Sequence, residues 1–106
     1  RLVVDTGLHH LRCSRERAID WLLANTPGGR PDHVTAVQRY IVTPGQATAY
    51  EIGKLKMVGL RERAEKTLGR GYDARRFNDA LLGSGPLPLA LLDEVMTRWI
   101  ANGGKA

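Results

Sequence analysis

The sequence has little of the side-chain chemistry on which metal and redox sites depend. Cys13 is the only cysteine, so the chain can form no internal disulfide and no thiol-rich metal site. The three histidines are His9, His10 and His33, and none belongs to a His-Glu-x-x-His motif. His9 and His10 are adjacent, so on a helix they point about 100° apart and cannot easily share a metal. We therefore expect no metal site within this chain.

Other absences exclude further classes of function. There is no Walker loop, no dinucleotide-binding fingerprint and no strained serine elbow. No apolar run approaches the roughly 20 residues that cross a bilayer, so we expect no membrane span. The chain opens at Arg1 without an initiator methionine, and we expect it to be part of a longer protein. Its location, cytoplasmic or cell-envelope, is left open.

The positive charge is spread along the chain. The formal net charge is +5 over 106 residues. The densest basic stretches, residues 12–17 and 61–70, are interleaved with glutamates, which is typical of solvated helix faces. A nucleic-acid-binding surface usually gathers its charge on one patch. We therefore expect no nucleic-acid partner, and a basic nucleic-acid-binding module is the least favoured of the three functions that the sequence suggests.

The apolar periodicity predicts an all-α fold. We expect a compact bundle of about five to six helices, forming a single domain over residues 1–106. Ser14 and Asp73 are predicted N-caps of two helices. The predicted helices cover residues 1–11, 15–25, 30–42 and 44–68, a short stretch after residue 73, and a last stretch from residue 87. Residues 102–106 are predicted to be a frayed tail.

The stretch from Thr43 to Gly53 is predicted to begin the longest helix. Thr43 suits its N-cap and Pro44 its first helical position. Gly45, Ala49 and Gly53 recur every four residues and would leave one face almost bare, which predicts the close approach of another backbone. The same register would place the amide of Gln46 and the phenol of Tyr50 together on the adjacent face.

Three bulky side chains are predicted to lie in the core, and one histidine on the surface. Trp21, Met96 and Trp99 fall on apolar helical stripes, which favours core positions over ligand-binding ones. His33 lies in the first turn of its predicted helix, without a partner at metal-ligand spacing, and is predicted to be exposed.

Arg1, Asp5 and His9 form a polar stripe at successive four-residue spacing on the first predicted helix. Two readings remain open. In the first, Arg1 and Asp5 form an ion pair with His9 satisfied beside it, because buried charges must be paired. In the second, the stripe faces a cleft, and Asp5 orients His9 and fixes its tautomer.

Several segments, taken together and in order, resemble the bacterial domain-of-unknown-function family eight-eight-five. They are Arg1–His9, Pro44–Ala47 with Tyr50 and Gly53, Leu60-Arg61, Ala64, Leu68-Gly69, Tyr72-Asp73, Arg76-Phe77, Asp79, Gly85–Leu89, Val95, Trp99 and Ile100. They cover nearly the whole chain. One departure is Asn78, which stands where the family pattern commonly has histidine.

The resemblance implies a helical, gluzincin-like zinc metallopeptidase whose metal motif lies upstream of Arg1. This chain would then be the C-terminal segment of such a protein. Its partners would be the missing N-terminal part of the same protein and a peptide substrate, with zinc bound only in the full-length protein. By position, Tyr50 would be a catalytic residue that donates to the substrate carbonyl, and His9 a second catalytic residue of the cleft. The departure at Asn78 argues against a metal or proton role at that position.

Four further residues are predicted to bind substrate. Gln46, one turn before Tyr50, could hold its phenol or a substrate amide. Arg1, Asp5 and Tyr40 complete the predicted substrate-binding set. The main alternative is a structural or protein-interaction helical domain without catalysis.

Overall fold

The computed structural model describes residues 1–105, and over that range the chain forms six α-helices, two short 3-10 turns and no β-strand. The helices are α1 (Leu2–His9), α2 (Arg15–Asn25), α3 (Arg30–Val42), α4 (Ala49–Leu68), α5 (Ala74–Gly83) and α6 (Leu89–Ala101). The 3-10 turns are Gln46–Thr48, before α4, and Gly69–Gly71, after it. The all-α prediction is confirmed.

The chain divides into two compact units, Arg1–Ile52 and Gly53–Ala106. The division falls within α4, so the first unit contains α1 to α3 and the first turn of α4. All six residues predicted as catalytic or substrate-binding belong to the first unit. The single domain expected over residues 1–106 remains a prediction.

Two predicted N-caps hold the starts of their helices. The Oγ of Ser14 accepts a hydrogen bond from the N–H of Arg17 at 3.2 Å. The Oδ1 of Asp73 accepts from the N–H groups of Arg75 at 2.9 Å and Arg76 at 3.0 Å. These donors, Arg76 first, hold the pKa of the Asp73 carboxyl below its ordinary value of 3.8.

In the first unit, α1, α2 and α3 pack around a small apolar core. Its buried members are Val4, Ala18, Ile19, Leu22 and Val37, with Leu8, Cys13, Val34 and Tyr40 packed against them. Trp21, predicted to be a core anchor, lies at the edge instead and is 37% exposed. The apolar stripe on α2 is broader than the face that α1 and α3 cover, so its outer residues stay in contact with solvent.

The prediction that His33 is exposed is wrong. His33 is buried, with 7% of its surface exposed, and its Nε2 lies 3.5 Å from the Oγ1 of Thr26. The ring also packs beside Gly28, where an added Cβ would lie 3.2 Å from a ring carbon. The loop between α2 and α3 therefore folds over the first turn of α3 and covers the imidazole.

In the second unit, α6 supplies the centre of the core, as its apolar stripe predicts. Met96 and Trp99 are buried, which confirms their predicted core positions. Phe77 of α5 meets the Trp99 ring edge-on, with centroids 6.0 Å apart and an interplanar angle of 69°. The other buried members are Leu60, Ala64, Leu81, Leu92 and Ile100.

The segment after α6 is not frayed over residues 102–104. The N–H of Gly103 donates to the carbonyl of Ile100, and the N–H of Gly104 donates to that of Trp99. This pair of bonds is the Schellman arrangement that ends many helices. Gly104 is buried, and an added Cβ there would lie 3.0 Å from the Leu68 side chain.

The prediction that the longest helix begins at Pro44 is wrong. Thr43 ends α3, and its Oγ1 donates to the carbonyl of Arg39 at 2.6 Å, so it does not cap α4. Gly45 has φ +79°, and the N–H of Gln46 donates to the carbonyl of Thr43 at 3.2 Å. Proline followed by a left-handed glycine, closed by this bond, is a type II turn. We call residues 43–46 the Pro44–Gly45 turn.

The bare helix face predicted from Gly45, Ala49 and Gly53 does not form, because Gly45 lies in the turn. A Cβ added at Gly45 or Gly53 would meet no atom within 4 Å among the residues that the structure describes. Within residues 1–105, therefore, no other backbone approaches these glycines closely.

Candidate functional site

A buried carboxylate joins α1 to the Pro44–Gly45 turn. Asp5 is 2% exposed, and its Oδ1 accepts a hydrogen bond from the N–H of Gly45 at 3.0 Å. Its Oδ2 is also buried, but it has no hydrogen-bond partner among the described residues. A buried polar atom without a partner costs about 1–3 kcal/mol, which makes this oxygen an unusual feature of the first unit.

His9 lies beside this carboxylate, one helical turn further along α1. Its Nε2 is 3.9 Å from the Oδ1 of Asp5 and 2.7 Å from the carbonyl oxygen of Tyr40. A carbonyl oxygen only accepts hydrogen bonds, so Nε2 carries a hydrogen. The Tyr40 carbonyl therefore fixes the Nε2–H form of neutral His9 and leaves Nδ1 as the ring nitrogen with a free lone pair. The His9 side chain is 31% exposed.

The geometry matches neither reading of the Arg1, Asp5 and His9 stripe in full, because the Tyr40 carbonyl, and not Asp5, makes the hydrogen bond to His9. The carboxylate of Asp5 contacts His9 and Gly45, whereas the guanidinium of Arg1 lies over the ring of Tyr50. The Arg1–Asp5 ion pair of the first reading is therefore not the arrangement that forms.

Arg1 and Tyr50 line a groove on the surface of the first unit. The carbon at the centre of the Arg1 guanidinium lies 5.7 Å from the centroid of the Tyr50 ring, a cation–π contact. Tyr50 is 69% exposed. The groove encloses about 400 Å³, and its lining residues are Arg1, Leu2, Val3, Ala47, Tyr50 and Glu51. We call it the Arg1–Tyr50 groove.

Gln46 and Tyr40 take positions that differ from those their spacing predicts. Gln46 begins a 3-10 turn, so Gln46 and Tyr50 do not share one α-helical face, although both are exposed. Tyr40 is half-buried against the first unit's core, and its contact with His9 uses its backbone carbonyl. Neither residue lines the Arg1–Tyr50 groove.

The site therefore has two parts within the first unit. The first, which we call the Asp5 network, joins the buried Asp5 to His9, the Tyr40 carbonyl and the Gly45 N–H, and the second is the exposed Arg1–Tyr50 groove. Sequence reasoning missed both backbone contributions. The Pro-Gly pair is itself a turn signal and could have located the Gly45 N–H, whereas nothing in the sequence marks the carbonyl of Tyr40.

The residues present do not form a zinc site by themselves. Across residues 1–105 there is no group of three or more His, Cys, Asp or Glu side chains that could hold a metal ion. A cavity of about 680 Å³ in the second unit is lined mainly by apolar atoms, among them atoms of Val95 and Trp99.

The sequence profile of a family described as "Bacterial protein of unknown function (DUF885)" matches residues 1–96. The chain belongs to the DUF885 family. The matched range includes both parts of the site, so every residue of the Asp5 network and of the Arg1–Tyr50 groove lies within the DUF885 region.

A DUF885-like fold is also present in a crystal structure of a candidate lipoprotein from Colwellia psychrerythraea. The two are 42% identical, with a TM-score of 0.91 over 95% of this chain. This chain spans 17% of the length of that protein. Among curated proteins, none matches this DUF885 chain. No helix within residues 1–105 is both long enough and apolar enough to cross a membrane.

Proposed function

We propose that this DUF885 chain supplies the substrate-side wall of a zinc-dependent peptidase site, whose metal ligands lie in another part of the full-length protein. The observation that carries the proposal is the exposed phenol of Tyr50, which stands in a groove beside the Arg1 guanidinium. A groove of about 400 Å³ with a few polar groups on apolar walls is typical of small-ligand sites.

In peptide hydrolysis, water adds to the carbonyl carbon, the C–N bond breaks and a proton reaches the leaving amine. The carbonyl oxygen becomes negatively charged on the way. The phenol of Tyr50 donates a hydrogen bond to that oxygen, because a neutral O–H group is a suitable donor to a developing oxyanion. His9 is the second catalytic residue, with Nδ1 available to substrate while the Tyr40 carbonyl holds Nε2. Zinc, bound elsewhere in the protein, would supply Lewis acidity.

The remaining predicted residues take different roles in this proposal. Arg1 and Gln46 are exposed and are proposed to bind substrate. Asp5 is buried and acts on His9 and on the Pro44–Gly45 turn, so it positions the site instead of touching the substrate. Tyr40 contributes its carbonyl to the orientation of His9.

We further propose that the full-length protein resides in the cell envelope, with support from the resemblance to the Colwellia psychrerythraea candidate lipoprotein. Labelling the intact protein in cells with a membrane-impermeant amine reagent tests this. Labelling before lysis supports an envelope location, and labelling only after lysis contradicts it.

The test of the peptidase proposal uses the purified full-length protein with a fluorogenic peptide. We expect bound zinc by elemental analysis, hydrolysis of the peptide, and loss of hydrolysis when a chelator removes the metal. A protein that binds no zinc and leaves the peptide intact would contradict the proposal.

The second candidate is a structural or protein-interaction domain. It is favoured by the burial of Asp5 and by the use of the His9 Nε2 on a backbone carbonyl, since both contacts also stabilise the fold. The metal and hydrolysis measurements separate the two candidates. No observation favours a basic nucleic-acid-binding module. Several arginines pair with acids, among them Arg30 with Glu16 and Arg98 with Glu94.

A further inference from the structure

The guanidinium of Arg1 is placed to bind an anion in the Arg1–Tyr50 groove. It lies over the Tyr50 ring, 5.7 Å from the centroid, so its cationic face is stabilised by the aromatic ring. The planar guanidinium carries five N–H donors around its edge, and a carboxylate can accept two of them at once. The guanidinium lies over the Tyr50 ring, whereas the Oδ1 of Asp5 accepts from the N–H of Gly45 and its Oδ2 has no hydrogen-bond partner among the described residues.

The walls of the groove fit a short peptide segment. Leu2, Val3 and Ala47 supply apolar surface beside the two polar groups, and the enclosed volume is about 400 Å³. Glu51 lines the same groove and already interacts with another group of the protein. Its negative charge disfavours general accumulation of anions, so an anion here would be bound by direct contact with Arg1.

The spacing between Arg1 and Tyr50 sets which part of a peptide Arg1 can reach. The guanidinium carbon lies 5.7 Å from the centroid of the Tyr50 ring, and an extended peptide advances about 3.3–3.6 Å per residue, so the two side chains reach groups only about one or two residues apart. When the Tyr50 phenol contacts the carbonyl of the bond to be cleaved, Arg1 reaches a group one or two residues away. A main-chain carboxylate occurs that close to the cleaved bond only at the C-terminus of a peptide.

We propose that the Arg1–Tyr50 groove binds the C-terminal carboxylate of the substrate, so that the protein removes one or two residues from the free C-terminus of a peptide. This inference rests on the proposed peptidase function and names its substrate class. Arg1 is then the residue that determines specificity for a free carboxylate.

The experiment compares two N-blocked peptides of the same sequence, one with a free C-terminal carboxylate and one with a carboxamide. With the full-length protein, we expect kcat/KM to be about 10- to 100-fold higher for the carboxylate, the value of one charged hydrogen-bonded contact. Arg1→Gln is expected to remove this preference, and Arg1→Lys to retain part of it. Arg70→Gln removes an exposed positive charge in the second unit and is expected to leave the preference intact.

The outcomes separate this inference from the proposed function. Equal hydrolysis of both peptides by the wild-type protein overturns the carboxylate inference and leaves the peptidase proposal standing. If neither peptide is hydrolysed, the peptidase proposal is contradicted. Calorimetric titration of the protein with each peptide then tests binding in the groove alone. Tighter binding of the carboxylate peptide that is lost in Arg1→Gln supports the groove as a carboxylate site, and equal binding of both peptides overturns it.

Discussion

The buried carboxylate of Asp5 accepts a hydrogen bond at 3.0 Å from the N–H of Gly45, forty residues further along the chain. This one bond connects the helix that carries His9 with the turn that precedes the Tyr50 segment. Because the N–H of Gly45 donates to this carboxylate, the side chain at position 5 holds the Pro44–Gly45 turn to α1.

Removal of the Asp5 acceptor is expected to destabilise the protein. Asp5→Ala removes the charged acceptor of this part-buried hydrogen bond and should lower the free energy of unfolding by about 1–3 kcal/mol. Asp5→Asn retains an oxygen acceptor and should lose less. Urea unfolding followed by circular dichroism measures both, with the exposed Asp20→Ala as the control, which should change by less than about 0.5 kcal/mol. Equal losses for the two Asp5 variants would contradict the role of this bond.

The Pro44–Gly45 turn is expected to require glycine. Gly45 has φ +79°, a left-handed conformation that costs a residue with a Cβ about 1 kcal/mol, so Gly45→Ala should be destabilising. Gly53→Ala, inside α4 with no atom within 4 Å of the added Cβ, should instead stabilise by about 0.5–1 kcal/mol. Opposite signs in thermal unfolding are the expected result, and a stabilising Gly45→Ala would contradict the turn.

The cap of α5 is expected to depend on pH. Backbone N–H groups of Arg76 and Arg75 lower the pKa of Asp73 below 3.8, so the native state favours the charged carboxylate. The stability that the charge contributes is complete above the unfolded-state pKa and is lost as the pH falls through the lower folded-state pKa. Asp73→Asn keeps a cap without this charge. The difference in stability between wild type and variant should therefore shrink below about pH 4, and a difference that grows there would contradict the assignment.

The two tryptophans report on the two units separately. Trp21 lies in the first unit and Trp99 in the second, so Trp99→Phe and Trp21→Phe each leave one fluorescent reporter. If residues 1–106 form a single domain, fluorescence and circular dichroism should give the same unfolding midpoint within each variant. Separate midpoints would contradict the single-domain prediction.

Local signals were sufficient for most of the fold. Ser14 and Asp73 each carry a cap that bonds within three residues, and α6 carries its apolar stripe within one helix, so neighbouring residues decide these features. Thr43-Pro44 was misleading because the same pair suits a helix start and a type II turn. The bond that favours the turn comes from Asp5, far away in the sequence. The burial of His33 likewise depends on the α2–α3 loop folding over it.

Sequence reasoning predicted only those contacts of the candidate site that are made between side chains. The four-residue spacing of Asp5 and His9 predicts their proximity on α1, and the distance of 3.9 Å agrees. The contacts that orient them come from backbone groups of Tyr40 and Gly45, and a backbone group has no residue type by which a sequence can mark it.

The central claim is that the phenol of Tyr50 acts on the substrate carbonyl, and one substitution tests it most directly. Tyr50→Phe in the full-length protein removes the hydroxyl and keeps the ring beside Arg1. The account predicts that kcat for peptide hydrolysis falls on the order of 100- to 1,000-fold with unchanged thermal stability. Tyr72→Phe, in the second unit, should retain kcat. A Tyr50→Phe protein with wild-type kcat would contradict the account.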